Sequence, residues 1–283
     1  MIGEILALLT ALLWAASTIL PAEALKKVDP IRSNAIKTFF STLVMFPIAF
    51  AAGEFNNLFQ VNLEALFFLI LAAIIGFGIG DTFLFKSITL IGVSKAYTIA
   101  YTFPLFTMIM AVLLLGEPFL LKYFIGTIFT VLSIIMISSE NRRAHRRVIF
   151  KELMIALTTA LMWAVGTILL ALGLKNISVL LANAIRYPVL SLFLYLISKP
   201  RMKWTVERRD LAILAASGIL GMVIGGITFL FSVQLIGASR ATPLSASSPV
   251  WASIISAVAL KEKVTLRMLL SSIIVIIGVY FLI

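Results

Sequence analysis

The sequence predicts an all-α integral membrane protein of ten transmembrane helices, arranged as two inverted five-helix repeats. Hydrophobic residues make up 61% of its 283 residues and charged residues only 12%, about half the share of charge in soluble domains. A water-soluble protein of this size could not bury so much apolar surface, whereas lipid solvates it. The chain also repeats itself, and its apolar residues fall into ten long stretches.

The ten predicted spans follow from the length of helix that crosses a bilayer, about 20 residues at about 1.5 Å each for about 30 Å of hydrocarbon. They are residues 3–21, 32–52, 65–91, 94–115, 121–139, 153–174, 179–198, 210–236, 239–260 and 266–283. A basic linker, 140–151, separates the first five from the last five. We therefore expect one five-helix repeat at 1–139 and a second at 152–283.

Two pairs of segments indicate that the halves are copies. Residues 7–36 and 156–185 align without gaps and share 16 of 30 residues. Residues 76–117 and 221–262 share 13 of 42. Because five is an odd number of spans, the second copy enters the membrane from the opposite side, so the repeats are inverted. Two such halves allow a secondary transporter to expose one site to each side of the membrane in turn.

The distribution of basic residues predicts the orientation. The net charge of +11 would suggest a nucleic-acid partner in a soluble protein, but here the basic residues lie between apolar spans and no nucleic-acid-binding motif is present. Contact with membrane lipid is the better interpretation. The loops on the linker's side hold 17 of the 23 Lys and Arg residues, and the opposite loops hold three. The positive-inside rule then predicts a cell-membrane protein with a cytoplasmic linker and both termini outside.

Metal and cofactor chemistry has no basis in the sequence. There is no cysteine, and the single histidine, His145, lies in the linker. We therefore expect no cofactor and no metal site.

Asp81 is the one acid predicted to lie deep within a span, where a charge is costly unless it is paired or faces water. It could bind a coupling ion or a substrate amine. Alternatively, it forms a structural ion pair with Lys37 or Lys86. Lys86 is five residues away, about 140° around the same helix, which disfavours pairing within the span. The matching position of the second half is Gly226.

Lys37 and Arg186 occupy the same position of the two repeats, each close to the start of its span. Asn34 and Asn183 lie three residues earlier, on the same helix faces. The basic side chains could extend to lipid headgroups. The alternative is that all four residues lie at the two mouths of a cavity and attract an anion.

Two Gly-xxx-Gly patterns also match between the halves, Gly76 with Gly80 and Gly221 with Gly225. Small residues at this spacing let helix backbones approach closely in lipid. They predict that spans three and eight cross near the pseudo-two-fold axis.

Pro104 and Pro249 fall near the middle of spans four and nine, where each removes a helical hydrogen bond. Each is either a hinge beside a cavity or a tolerated proline. Polar and aromatic residues accompany them and could line that cavity or pack closely. The residues that we assign to the cavity in addition to Asp81 and Lys86 are Trp14, Tyr97, Tyr101, Trp163, Gln234, Ser245, Ser248 and Trp251.

These residues together resemble the EamA family of the drug/metabolite transporter superfamily. The resemblance rests on Trp14/Trp163, the Asn-Ala-Ile-Lys and Asn-Ala-Ile-Arg segments, Gly92–Ala96 with Gly237–Ala241, Pro104/Pro249 and Leu115–Glu117 with Leu260–Glu262. It implies a 5+5 inverted-repeat fold, export or exchange of small metabolites, and a cavity lined by spans one, three, four, six, eight and nine. Amino-acid exporters are among the relatives. Most relatives are thought to keep both termini inside, unlike the orientation that the charge count predicts.

The function expected from the sequence is therefore a secondary transporter, an exporter or exchanger of a small metabolite such as an amino acid, and not an enzyme. Coupling to protons through Asp81 is part of this hypothesis. A channel or a lipid scramblase is the main alternative. A further alternative is an intramembrane aspartyl protease using Gly78-Ile-Gly80-Asp81, but that chemistry needs a second carboxylate, and no other acid lies at that depth.

Overall fold

The computed structural model describes residues 1–21, 24, 27–91, 93–138, 150–175, 177–198, 206–259 and 265–283, and among these it contains helices and no β-strand. The α-helices before the linker are α1 Ile2–Ile19, α2 Pro30–Ala51, α3 Leu63–Ala72, α4 Asp81–Ile91, α5 Val93–Ala100, α6 Phe103–Leu115 and α7 Leu121–Ser138. Those after it are α8 Phe150–Gly173, α9 Val179–Ser198, α10 Arg208–Gly218, α11 Gly225–Ile236, α12 Ala238–Ser245, α13 Ser248–Ala259 and α14 Leu266–Leu282. Apart from its last two residues, which begin α8, the predicted linker 140–151 lies outside the described residues.

Besides these α-helices, the described residues form two π-helices and a seven-residue 3₁₀ helix. The first π-helix, Ala73–Gly80, joins α3 to α4, and the second, Ile219–Ile224, joins α10 to α11. The 3₁₀ helix, Glu54–Gln60, follows α2. The two π-helices fall at matching positions of the two sequence repeats.

Seven stretches of the described chain are long and apolar enough to cross a membrane. They are Ile2–Ile19, Ile31–Ala51, Leu63–Leu84, Thr98–Leu115, Phe150–Gly173, Val179–Ser198 and Arg208–Ile236. Two shorter apolar helices, Leu121–Met136 and Leu266–Leu282, fall within predicted spans five and ten. Predicted span nine corresponds to α12 and α13. The expectation of an all-α, membrane-type architecture is confirmed by this helix content.

Small residues are common in the interior of the bundle, and many large apolar residues lie on its surface. Ala11 and Ser217 are fully buried, whereas Phe50, Leu113 and Ile276 are largely exposed. Helices in lipid pack through small side chains because lipid is as apolar as a leucine side chain, so the large residues gain nothing by leaving it. The exposed apolar surface is therefore the surface that lipid covers.

Helices of one half pack mainly against helices of the other. α1 lies against α11 and the second π-helix, and α8 lies in the same way against α3 and the first π-helix. α2 packs against α9, and α7 against α14. The two halves thus form one interlocked bundle with reciprocal contacts.

The predicted span-centre prolines follow breaks in the helix. The chain turns at Tyr101–Thr102 between α5 and α6, and at Ala246–Ser247 between α12 and α13. Pro104 and Pro249 are each the second residue of the helix that follows, where the missing N–H has no helical partner to lose. The sequence placed both prolines near the middle of a span, as a hinge or a tolerated proline, and in the structure a turn divides each span just before its proline.

Two polar contacts join the end of a helix in one half to the start of a helix in the other. Glu117, after α6, accepts hydrogen bonds from the backbone N–H groups of Ala238 and Ser239 at 2.7 and 3.0 Å. These N–H groups begin α12 and have no partner within their own helix. Lys27, after α1, forms ion pairs with Glu207 and Asp210 at 3.3 and 3.6 Å, at the start of α10. The hydrogen bond to Glu207, followed by the charge of Asp210, raises the pKa of Lys27 above its ordinary value.

Candidate functional site

A cavity of about 240 Å³ lies between the two halves. Its walls come from α1, α2, the end of α3, the first π-helix, α4 and the start of α6 in the first half, and from α8, α9, the second π-helix and α11 in the second half. The resemblance implied a lining from spans one, three, four, six, eight and nine. In the structure, α2 and α9, which are spans two and seven, also line the cavity, whereas no described residue of α12 or α13, which form span nine, does. Of the site residues predicted from the sequence, those that line it are Trp14, Asn34, Lys37, Gly76, Asp81, Tyr101, Trp163, Arg186 and Gly221.

Two tryptophans line this cavity, and each donates a hydrogen bond to a residue of the opposite half of the chain. The Trp14 Nε1–H donates to the carbonyl of Gly221 at 3.1 Å, in the second π-helix. The Trp163 Nε1–H donates to Asp81 Oδ1 at 2.8 Å, just after the first π-helix. Trp14 and Trp163 are repeat equivalents, so each half supplies an indole to the other.

The glycines of the two patterns make room for these indoles. A Cβ at Gly225 would lie 3.0 Å from Trp14 Cδ1, and a Cβ at Gly80 would lie 2.8 Å from Trp163 Cδ1. Gly221 lies against Ser17 of α1 in the same way that Gly76 lies against Gly166 of α8. The prediction of close packing at these glycines fits these contacts.

The prediction of where that packing occurs was wrong. Within the described chain, spans three and eight do not form a substantial interface with each other, and each packs instead on the first helix of the opposite half. The physical reason is that α8 and α1 already occupy the two glycine surfaces: Trp163 and Gly166 of α8 lie against the glycines of span three, and Trp14 and Ser17 of α1 lie against those of span eight.

The π-helices explain how the backbone at the cavity is available for bonding. A π-helix widens the turn and leaves the regular i→i−4 pattern, and such segments often occur at functional sites. The Gly221 carbonyl, within the second π-helix, accepts the indole N–H of Trp14 instead of serving only its own helix. Apolar periodicity cannot distinguish a π-turn from an α-turn, so the sequence did not predict these segments.

Asp81 is partly exposed to the cavity at the first turn of α4. Trp163 donates to its carboxylate, and Lys37 lines the same cavity. In the described part of the chain no direct ion pair joins Lys37 and Asp81. Asp81 is also the one acid among the described residues that line the cavity. Protease chemistry with two carboxylates therefore has no second acid there.

An aromatic wall stands beside Asp81. The Tyr101 and Phe103 rings pack edge-to-face on Trp163, with ring centroids 5.7 and 5.4 Å away. The Tyr101 hydroxyl lies 3.1 Å from Ser248 Oγ, across the two helix breaks. This wall is apolar on its ring faces and polar at the Tyr101 and Asp81 ends.

Lys37 and Arg186 both line the cavity itself, as does Asn34. Arg186 is 3% exposed, and its Nη1 donates to Asn183 Oδ1 at 3.3 Å. Asn183 is fully buried behind it. Arg186 thus points into the bundle and not toward lipid headgroups.

Comparison with known proteins identifies the family. A family model described as the EamA-like transporter family matches residues 1–139 and 150–283. The chain belongs to this family. It is similar to an uncharacterized transporter of Archaeoglobus fulgidus, 23% identical over 282 residues that cover 100% of this chain and 98% of that protein. It is also similar to the uncharacterized transporter YoaV of Bacillus subtilis (strain 168), 19% identical over 275 residues that cover 95% of this chain and 92% of YoaV.

A solved structure described as "Crystal structure of protein" shares the fold, with a TM-score of 0.85, 15% identity and coverage of 99% of this chain and 95% of that one. Together, the apolar helices, the EamA family and the names of the relatives make this chain a multi-pass membrane transporter that handles small molecules. They point to a transporter and not to an enzyme. The resemblance to EamA proteins that the sequence indicated is confirmed.

Several residues that we assigned to the cavity of this EamA protein lie elsewhere. Lys86 is exposed on α4, on the far side of the helix from Asp81. The Gln234 side-chain amide donates to the carbonyls of Leu174 and Ile177, both at 3.2 Å, and so holds the connection between α8 and α9.

The polar residues of α12 and α13 also lie off the cavity lining. Ser245 donates to the carbonyl of Ala7 at 3.2 Å, which ties α12 to α1. Trp251 is half-buried on α13, which packs on α1 and α7. The side chain of Tyr97 lies outside the described residues.

Other cavity residues were not predicted, although the repeat could have found some of them. Gly166 and Ser17 are repeat equivalents in the two first helices, and both face the glycines of the opposite half. Gly226 is the equivalent of Asp81, and a Cβ there would collide with the Tyr187 hydroxyl. Tyr187 instead donates to the carbonyl of Met222 and closes that side of the cavity.

Replacing Trp163 by phenylalanine should destabilise the protein more than replacing Trp14. Both changes keep an aromatic ring, but Trp163→Phe leaves the Asp81 carboxylate without its indole donor, whereas Trp14→Phe affects a neutral carbonyl. We expect a loss of about 2 kcal/mol for Trp163→Phe and about half of that for Trp14→Phe. Unfolding of both variants in detergent micelles measures the difference, and equal losses would show that the Asp81 bond has no special weight.

Proposed function

We propose that this EamA protein is a secondary transporter that exports or exchanges a small metabolite, such as an amino acid, by alternating access. The observation that carries the proposal is the reciprocal contact of Trp14 and Trp163 with the opposite halves around one cavity. Two equivalent interfaces that enclose a single site are what a rocking mechanism needs. The cavity volume of about 240 Å³ fits a small metabolite rather than a drug-sized molecule.

We further propose that all ten predicted spans cross the membrane, as inverted repeats at 1–139 and 152–283. The contacts between helix ends support this arrangement. α12 and α13 repeat α5 and α6, and Glu117 at the end of α6 meets the first residues of α12. If the pair α12 and α13 ran in the same direction as the pair α5 and α6, the end of α6 would lie level with the end of α13 and not with the start of α12. The double match of the family model to 1–139 and 150–283 also supports two copies.

Alternating access would use the irregular segments around the cavity. The π-helices and the helix breaks before Pro104 and Pro249 occur at matching positions of both halves. Such segments bend more readily than a continuous α-helix because their hydrogen-bond ladder is already interrupted. We propose that these segments act as hinges, while α1 and α8 move with their indoles against the opposite half.

Coupling to protons through Asp81 is part of the proposal. Trp163 donates a hydrogen bond to Asp81, and Lys37 and Tyr101 line the same cavity. Gly226 takes the equivalent place in the second half, so the coupling would be confined to one half. A carboxylate that faces a cavity within a membrane protein is a suitable carrier for a transported proton.

For the orientation, we propose the cell membrane with the basic linker in the cytoplasm and both termini outside. The support is the distribution of Lys and Arg over the loops, 17 on the linker's side and three on the other. The ion pair of Lys27 with Glu207 supports placing the α1–α2 and α9–α10 loops on one side together.

Counterflow in proteoliposomes tests the proposed transport. Purified protein is reconstituted, and the uptake of labelled amino acids, organic acids, nucleosides, sugars and polyamines is measured with and without the same solute inside. A carrier gives saturable uptake that internal solute accelerates. Uptake that does not saturate would indicate a channel, and translocation of labelled lipid without solute counterflow would indicate a scramblase.

A further inference from the structure

The Arg186 guanidinium is buried without an acidic partner in the described part of the chain. Its Nη1 has one long hydrogen bond to Asn183, and its Nε has no hydrogen-bond partner. The remaining contact that we identify is the face of the Phe77 ring, with the guanidinium carbon 5.6 Å from the ring centroid. A buried charge without a counter-ion costs several kcal/mol, so this arrangement indicates that a partner is missing.

The charges that line the cavity do not cancel. Among the described lining residues, Lys37 and Arg186 are basic and Asp81 is the one acid. The described lining therefore carries one more positive charge than negative charge, and no acid of the described chain lies within ion-pair distance of Arg186. A ligand with one negative charge near Arg186 would neutralise the cavity, whereas a cation would add to its positive charge.

The chemistry of the site favours a carboxylate. The guanidinium presents its donors in a planar fork that matches the two oxygens of a carboxylate. Asn183 Nδ2, beside it, is also buried without a hydrogen-bond acceptor. The surroundings are otherwise mainly apolar and aromatic, with Phe77 and Tyr187 next to Arg186 and Phe229 further along the cavity wall.

We propose that Arg186 binds the carboxylate of the transported substrate, so that the cavity selects solutes in which a carboxylate is joined to a small apolar or aromatic group. This inference rests on the proposed transport function and names the substrate class of the same cavity. Arg186 stands at the repeat position of Lys37. The two equivalent positions differ in their surroundings, because Arg186 is 3% exposed with an unpartnered Nε, whereas Lys37 is half-buried.

Matched acid and amide probes test the proposal on the purified full-length protein. Thermal stability in detergent is titrated with 3-phenylpropionate and 3-phenylpropionamide, and with phenylalanine and phenylalaninamide, because a bound ligand stabilises the folded state by mass action. Phenethylamine serves as the cation and inorganic phosphate as a simple anion. We expect saturable stabilisation by at least one carboxylate and little or none by its amide or by the amine.

Two arginine variants separate binding from general charge effects. Arg186→Gln should weaken carboxylate binding by at least about tenfold, equal to about 1.4 kcal/mol. Arg208→Gln removes an exposed arginine at the start of α10 and should leave the binding unchanged. Arg186→Met tests folding separately. Without ligand, its unfolding temperature should equal or exceed that of the unaltered protein, because the uncompensated charge is gone. A marked fall would assign Arg186 a structural role and overturn the proposal.

Several other results would overturn it. Equal stabilisation by acid and amide, binding of a carboxylate by Arg186→Gln within about twofold of the unaltered protein, or stabilisation by none of the carboxylates would each do so. Stabilisation by phosphate alone would mean that the site binds an anion other than a carboxylate. If counterflow of a neutral or cationic solute persists in these cases, the proposed transport stands and only the substrate class is wrong. If no solute shows counterflow, the proposed function itself fails.

Discussion

Asp81→Asn is expected to reduce uptake driven by a pH gradient to the level of empty liposomes. The amide has nearly the size of the carboxyl group and its oxygen can still accept the Trp163 N–H, so the cavity wall keeps its geometry. It cannot exchange a proton between pH 5 and pH 9, roughly the range in which a proton gradient would be applied. Because Asp81 is the one acid among the described lining residues, the cavity has no other carboxylate to replace it.

Two assays on the same liposomes identify the lost step. Solute counterflow without a pH gradient should persist in Asp81→Asn, because exchange of a loaded carrier needs no net proton movement. Glu64→Gln, an exposed position at the first turn of α3, is the matched control and should behave like the unaltered protein. Retention of pH-driven uptake in Asp81→Asn would remove Asp81 from the coupling mechanism.

Gly166→Ala should destabilise the protein strongly, whereas Gly76→Ala at the same contact should not. A Cβ at Gly166 would lie 2.7 Å from Gly76 Cα and 3.1 Å from its backbone nitrogen, so the backbone itself would have to move. A Cβ at Gly76 would lie 3.4 Å from Gly166 Cα, which is ordinary contact. We expect a loss of about 1–3 kcal/mol for Gly166→Ala and less than about 0.5 kcal/mol for Gly76→Ala.

The expected effect of Gly166→Ala also reaches the cavity. Trp163 lies about one turn earlier on α8, so a displacement of α8 from the first π-helix strains its bond to Asp81. Thermal unfolding in micelles and the transport assay should therefore both show a loss for Gly166→Ala and little change for Gly76→Ala. Equal tolerance of both substitutions would mean that α8 can shift freely, contrary to a close contact between the halves.

The repeated sequence carried much of the site prediction, because residues that recur at equivalent positions also recur in the structure. Trp14 and Trp163 each line the cavity, and Gly80 and Gly225 each face one of them. The sequence did not reveal which partners meet. An alignment of the halves pairs Trp14 with Trp163, whereas the fold brings each indole to the glycines of the opposite half.

Helix geometry explains the other differences. Lys86 lies about 140° around the helix from Asp81, a spacing that already disfavoured pairing and that turns Lys86 outward while Asp81 faces the cavity. Gln234 and Ser245 are polar within apolar segments, but they satisfy backbone carbonyls of neighbouring elements. A polar residue in a span needs a partner, and sequence alone does not distinguish a backbone carbonyl from a substrate.

The naturally cysteine-free chain allows a direct measurement of the inverted arrangement. Lys27→Cys marks the α1–α2 loop and Lys175→Cys marks the equivalent α8–α9 loop, and both positions are exposed. A membrane-impermeant maleimide is applied to intact cells and to permeabilised cells. Inverted repeats predict that the two cysteines are labelled from opposite sides, and the proposed orientation predicts Lys175→Cys in intact cells and Lys27→Cys only after permeabilisation. Labelling of both cysteines from the same side would contradict two oppositely oriented halves around the cavity.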